Sequence, residues 1–134
     1  MFYKQNQSYE LDEKLFKNPT SEYRAAPFWA WNCKLNKDIL NEQIDIFKKM
    51  GFGGFHMHSR IGMSTPYLKD EFMGLIKFCT QKAEQENMLA YLYDEDRWPS
   101  GSAGGYVTKT HKYRQRYLIF SQNSREHFSL DEAI

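Results

Sequence analysis

The stretch Tyr91-Leu92-Tyr93-Asp94-Glu95-Asp96-Arg97-Trp98-Pro99-Ser100-Gly101-Ser102-Ala103-Gly104-Gly105 decides how the chain is read. An apolar run gives way at once to three carboxylates, an arginine and a tryptophan, and then to a loop of small residues. Adjacent acids belong on a buried strand only where that strand ends at a solvated cleft, because an unpaired buried carboxylate is costly. Open and closed α/β sheets both place their ligand sites at such strand ends.

Upstream, the pattern of strand followed by helix occurs twice. Pro27 opens the aromatic run Phe28-Trp29-Ala30-Trp31-Asn32, which predicts a first strand. Asn36 is a helix N-cap with Asp38 in the first turn, and Leu40, Ile44 and Phe47 recur at helical spacing. Lys48 and Lys49 close the last turn and Gly51 stops the helix. Gly53-Gly54-Phe55-His56-Met57-His58 predicts a second strand, whose glycines admit a close neighbour. After a loop from Ser59 to Pro66, the stripe Phe72, Leu75, Ile76, Cys79 and Ala83 predicts a second helix ending near Asn87. Met88 to Tyr93 is then the third strand. Beyond the small-residue loop, Tyr106 to Arg116 reads as a short helix and Tyr117-Leu118-Ile119-Phe120 as a further strand.

Strands alternating with helices at these separations imply consecutive βαβ crossovers and a parallel sheet. No glycine fingerprint follows the first strand, and the Gly101 to Gly105 loop lacks the lysine and hydroxyl of a phosphate loop. The fold class expected is α/β, a partial (β/α)8 TIM barrel. A whole barrel takes about 250 residues, so the chain accounts for about the first three β/α units. Residues 1–24 read as an irregular lead-in, 25–120 as the partial barrel and 121–134 as a polar tail.

The 134 residues carry 18 basic and 17 acidic side chains, a net charge of +1. That balance points to neither nucleic acid nor an anionic membrane as partner. Aromatic residues make up 16% of the chain, many beside glycines or charges, which suits stacking on a sugar ring as well as core packing. Cys33 and Cys79 have no ligand or redox spacing and read as free thiols. The N-terminus lacks a signal-like apolar run and no stretch is long enough to span a bilayer, so a cytoplasmic location is expected.

His56 and His58, two apart on a strand, point to one face. A His-x-His at a strand end has a spacing that holds metals, and it equally suits cleft histidines that hydrogen-bond a ligand. No third ligand follows at a defined spacing, so no metal or cofactor is assigned. Consecutive strand residues alternate sides, so Asp94 and Asp96 should face one way and Glu95 the other. Clustered carboxylates raise one another's pKa unless a cation intervenes, which makes Arg97 or Arg60 the expected partner. Acid–base catalysis, ligand hydrogen bonding and a solvated acidic loop all fit these acids. Trp29, Trp31 and Trp98 suit either sugar stacking or packing, and Ser100 and Ser102 suit turn formation.

Three blocks together carry a family resemblance: Pro27-Phe28-Trp29-Ala30-Trp31-Asn32, Gly51-Phe52-Gly53-Gly54-Phe55-His56-Met57-His58-Ser59-Arg60-Ile61-Gly62, and Tyr93 through Gly105. In this order they resemble the start of the catalytic barrel of large bacterial glycoside hydrolases of the α-L-rhamnosidase type, glycoside hydrolase family 106 and its kin. The resemblance spans about residues 17 to 118. It implies inverting hydrolysis by two carboxylates ~6.5–9.5 Å apart, which usually come from different barrel strands. The catalytic acid and base fall on no residue here. The matching positions His56, His58, Arg60, Asp94, Glu95, Arg97 and Trp98 are expected to bind sugar and shape the cleft. The chain is thus expected to be a glycoside hydrolase fragment that supplies one wall of a carbohydrate site and is inactive alone. Two rivals stand beside this: a metal-dependent barrel hydrolase using His56 and His58, and a non-catalytic carbohydrate-binding or self-associating half-barrel. An open parallel sheet leaves edges unpaired and an inner face uncovered, which favours association.

Overall fold

Three parallel strands, β1 (Phe28–Trp31), β2 (Gly54–Ser59) and β3 (Leu89–Leu92), pair in the order β1-β2-β3. The computed structural model describes residues 9–98, 101, 103–116, 118 and 120. A short helix, α1 (Glu13–Lys17), precedes the sheet, α2 (Lys37–Lys49) joins β1 to β2, and α3 (Asp70–Gln85) joins β2 to β3. The result is a mixed α/β unit with an open three-stranded parallel sheet.

Local chemistry explains the boundaries. Asn36 Oδ1 accepts from the amides of Asp38 at 2.9 Å and Ile39 at 3.1 Å, satisfying two of the unpaired N–H groups that start α2. Lys48 and Lys49 complement the dipole at its other end, and Gly51, at φ +85°, reverses the chain there. β2 lies close to its neighbours because it begins with glycines. A Cβ at Gly53 would stand 2.0 Å from the Ser21 carbonyl oxygen, and one at Gly54 would stand 2.3 Å from that of Leu89.

Strand alternation gives the sheet two unlike faces. Trp29, Trp31, Phe55 and Met57 point toward the helices and form one core with Leu40, Ile44, Phe72, Ile76, Cys79 and Ala83. Trp29 meets Trp31 and Phe55 edge to face, with ring centroids 5.4 and 5.1 Å apart, and its indole N–H donates to Gln43 Oε1 at 2.8 Å. Each such side chain contributes about 1.5–3 kcal/mol by leaving water. Phe28, Ala30, His56, His58, Tyr91 and Tyr93 occupy the opposite face, where Phe28 remains 57% exposed.

Some expected elements take another form. The lead-in contains α1, capped by Asp12, and a 3-10 turn at Ser21–Tyr23 whose Ser21 hydroxyl donates to the Asn87 carbonyl. Residues 106–116 form turns with one 3-10 segment, His111–Tyr113, instead of a helix. They offer no repeating apolar stripe to bury, and a helix without one gains little from packing. α3 stops at Gln85, two residues early, because Asn87 adopts a left-handed φ of +54°. Ser100, Ser102, Tyr117 and Ile119 of the strand expected at 117–120, and the tail at 121–134 lie outside the described residues, while Leu118 and Phe120 take no strand form. No described helix is long and apolar enough to cross a membrane.

Candidate functional site: the C-terminal ends of the strands

Parallel pairing brings the polar ends of the three strands together. The Arg60 amide donates to the Trp31 carbonyl, and the amides of Tyr93 and Arg97 donate to those of Met57 and Ser59. On the face away from the helices, this register builds aromatic stacks. The rings of His56 and Tyr91 lie 4.5 Å apart and 13° from parallel, and those of His58 and Tyr93 lie 3.9 Å apart at 18°. Phe28 tilts onto the other side of His58 at 4.4 Å. Such cross-strand ring pairs fix side-chain direction as well as adding stability.

The two histidines share a face, as their spacing requires, but differ in environment. His56 is exposed, while His58 is buried with its Nδ1 3.1 Å from the Ser59 carbonyl oxygen. A carbonyl only accepts, so Nδ1 carries the hydrogen in that contact. Among the described residues, no group of three His, Cys, Asp or Glu side chains comes close enough to hold a metal ion. Arg60, half-buried, sets its guanidinium 5.9 Å from the centre of the Phe28 ring. It enters no ion pair among the described residues.

The acids do not alternate as strand residues would. β3 ends at Leu92, and residues 95–98 bend, with Arg97 at φ +53°. Asp96 turns inward, 3% exposed, accepting from the Ser59 hydroxyl at 3.0 Å and from Arg97 Nη1 at 3.3 Å. Arg97 also donates to the Met63 carbonyl at 3.1 Å, so its guanidinium closes the loop over α3's approach segment. Glu95 accepts from the Tyr93 hydroxyl at 3.4 Å and from the Gly101 amide. The Asp94 side chain stays exposed, while its carbonyl accepts from the Tyr67 hydroxyl at 3.2 Å. Of the three acids, Asp94 alone presents a carboxylate free of hydrogen bonds within the described residues.

Two phenols border this loop. Burial, then the charges of Asp96, Asp94 and Glu95, push Tyr67 above its ordinary value. Burial and Glu95 do the same for Tyr93, opposed by Arg60. Both therefore remain hydrogen-bond donors at neutral pH. Trp98, at the end of the bend, is 55% exposed, whereas Trp29 and Trp31 are core residues unavailable for stacking. Phe28, Ser59, Tyr67, Tyr91 and Tyr93 join the site beyond the residues expected from the sequence. Alternation from His56 and His58 across a parallel register points to the two strand tyrosines and to Phe28, while Tyr67 sits in an irregular loop with no such signal.

No protein-family model matches the chain, and no curated protein matches it. Among solved structures, the rhamnosidase from Novosphingobium sp. PP1Y is similar, with a TM-score of 0.55 and 23% identity over 64% of this chain. The chain spans 9% of that protein's length. The likeness is one of fold: the parallel α/β unit recurs inside a much larger rhamnosidase.

Proposed function

We propose that residues 25–120 make up the first β/α units of a (β/α)8 barrel of glycoside hydrolase type, following a lead-in at 1–24 and preceding a tail at 121–134. In this reading the strand ends form one wall of a sugar-binding cleft, and the chain binds a rhamnose-like sugar without cutting it. The observation that carries it is the convergence, at the C-terminal ends of parallel strands, of stacked rings with Arg60 and Asp94, whose side chains enter no ion pair among the described residues. Sugar sites combine aromatic faces with a few fixed polar groups in this way. Likeness to a rhamnosidase fold supports the choice of sugar over other small ligands.

His56 and Trp98 offer flat surfaces to the pyranose ring, His58, buried between Phe28 and Tyr93, fixes the rings behind them, and Arg60 and Asp94 bond the sugar hydroxyls. Glu95 and Arg97 hold the loop that positions Asp94 and Trp98. Inverting hydrolysis needs a second carboxylate across the scissile bond, and among the described residues this wall offers Asp94 alone, so no hydrolysis is expected. Methyl α-L-rhamnoside added to isotopically labelled chain should shift the ring signals of His56 and His58 saturably. Arg60→Ala should weaken that response about tenfold, the effect of losing one charged hydrogen bond. Signals that stay fixed up to high sugar concentration would sink the reading.

A further inference from the structure

The loop between β2 and α3 ties the strand ends to one another. Its Thr65, fully buried, accepts from the Leu35 amide at 2.9 Å, and its Ser64 amide donates to the Cys33 carbonyl at 3.4 Å, both in the segment that follows β1. On the other side, its Met63 carbonyl accepts from Arg97, and its Tyr67 hydroxyl donates to the Asp94 carbonyl at 3.2 Å. Both partners belong to the acidic loop that follows β3. Held from two sides, the loop can act as a fixed support for the site beside it. Tyr67 is the member that reaches Asp94.

The Tyr67 ring is itself held in place. It packs against Phe72 of the core, with ring centroids 5.2 Å apart and 58° from parallel. Gly104, at φ +66°, lies so close to it that a Cβ there would stand 2.9 Å from Tyr67 Cδ1. Burial, then the charges of Asp96, Asp94 and Glu95, keep the phenol protonated at neutral pH, so it remains a donor.

Asp94 needs such a hold. β3 has ended at Leu92, and the backbone bonds on either side run from the Tyr93 amide to Met57 and from the Arg97 amide to Ser59. Between them the Asp94 carbonyl accepts from Tyr67. Because the peptide unit is planar, that bond restrains the Asp94–Glu95 peptide as a whole, and with it the direction of the Asp94 Cα–Cβ bond. The carboxylate beyond it is exposed.

We propose that Tyr67 is the positioning residue of the strand-end site: by holding the Asp94 carbonyl, it turns the Asp94 carboxylate toward the sugar. The proposal rests on the sugar-cleft reading above, in which Asp94 bonds a hydroxyl. Tyr67 acts through Asp94 and not by touching the ligand, and it lies outside the three sequence blocks that carry the family resemblance.

A double-mutant cycle on the full chain tests it, with methyl α-L-rhamnoside as the probe. Tyr67→Phe keeps the ring against Phe72 and Gly104 and removes only the hydroxyl. It should weaken binding about fivefold, the effect of one neutral hydrogen bond. In an Asp94→Ala background the same change should cost less than about twofold, because no carboxylate is left to aim. In an Arg60→Ala background the full loss should remain. A second measurement needs no sugar: the amide order parameter of Glu95 should fall from about 0.85 in the parent to below about 0.6 in Tyr67→Phe. A fivefold loss that persists without Asp94 would overturn the proposal, as would unchanged affinity or an unchanged Glu95 order parameter. A parent chain that binds no sugar, while Tyr67→Phe still frees the Glu95 amide, would sink the cleft reading and support Tyr67 as the residue that holds Asp94.

Discussion

Asp96 sits beneath Ser59 and Arg97, 3% exposed, in a cluster that looks from the sequence like three equivalent acids. Removing it leaves the Ser59 hydroxyl with only the long 3.4 Å contact to the Glu95 carbonyl, and the left-handed Arg97 without its ion pair. Asp96→Ala should cost about 2 kcal/mol in urea unfolding, the penalty of a stranded buried polar group. Asp94→Ala, at an exposed carboxylate, should fall within about 0.5 kcal/mol of the parent. The reverse order would show that Asp94 holds the loop. Strand alternation could not separate these acids, because the chain leaves β3 before reaching them. A similar contrast holds for the thiols. Burial drives Cys79 up to about 12, while Cys33 is exposed. An alkylating reagent at pH 8 should therefore modify Cys33 alone in folded protein and both cysteines in denaturant.

Helix α2 was legible almost to the residue, because a cap, a 3.6-residue apolar period and a stop glycine all agree on its limits. The turns at 106–116 were not, since β-branched threonines and basic side chains fix no period. Contact between elements is clearest at Gly54, whose missing Cβ lets β2 approach β3. Gly54→Ala forces the backbones apart and should destabilise the chain by about 2 kcal/mol, the usual cost of overpacking. An ion network joins α2 to α3: Lys82 reaches Asp45 at 2.9 Å and Glu86 at 3.0 Å, and Lys48 also pairs with Glu86. Lys48 and then Lys82 hold the Glu86 carboxyl below its ordinary 4.5. A lowered folded-state value stabilises above the unfolded one and loses that contribution as pH falls through it. Stability should thus decline as pH drops below about 4.5, and Glu86→Gln should flatten that decline. Parallel pH profiles for the two proteins would rule the network out as its cause.

At the scale of the whole molecule, the described residues pack helices on one face of the sheet and leave Phe28 and His56 exposed on the other. That surface also carries Tyr91, Phe28 is 57% exposed on it, and among the described residues β1 and β3 each have one strand neighbour. Sheets of parallel strands normally have both faces covered. Sedimentation velocity should therefore show concentration-dependent association, reduced by Phe28→Lys on the open face. A monomer at all concentrations would contradict it. Whether this wall binds sugar without cutting it is decided by one titration with an aryl α-L-rhamnoside, following Trp98 emission and the released phenol together. Emission should change saturably, with no such change in Trp98→Leu, and phenol release should equal a buffer blank. Release above the blank, or emission that never responds, would contradict it.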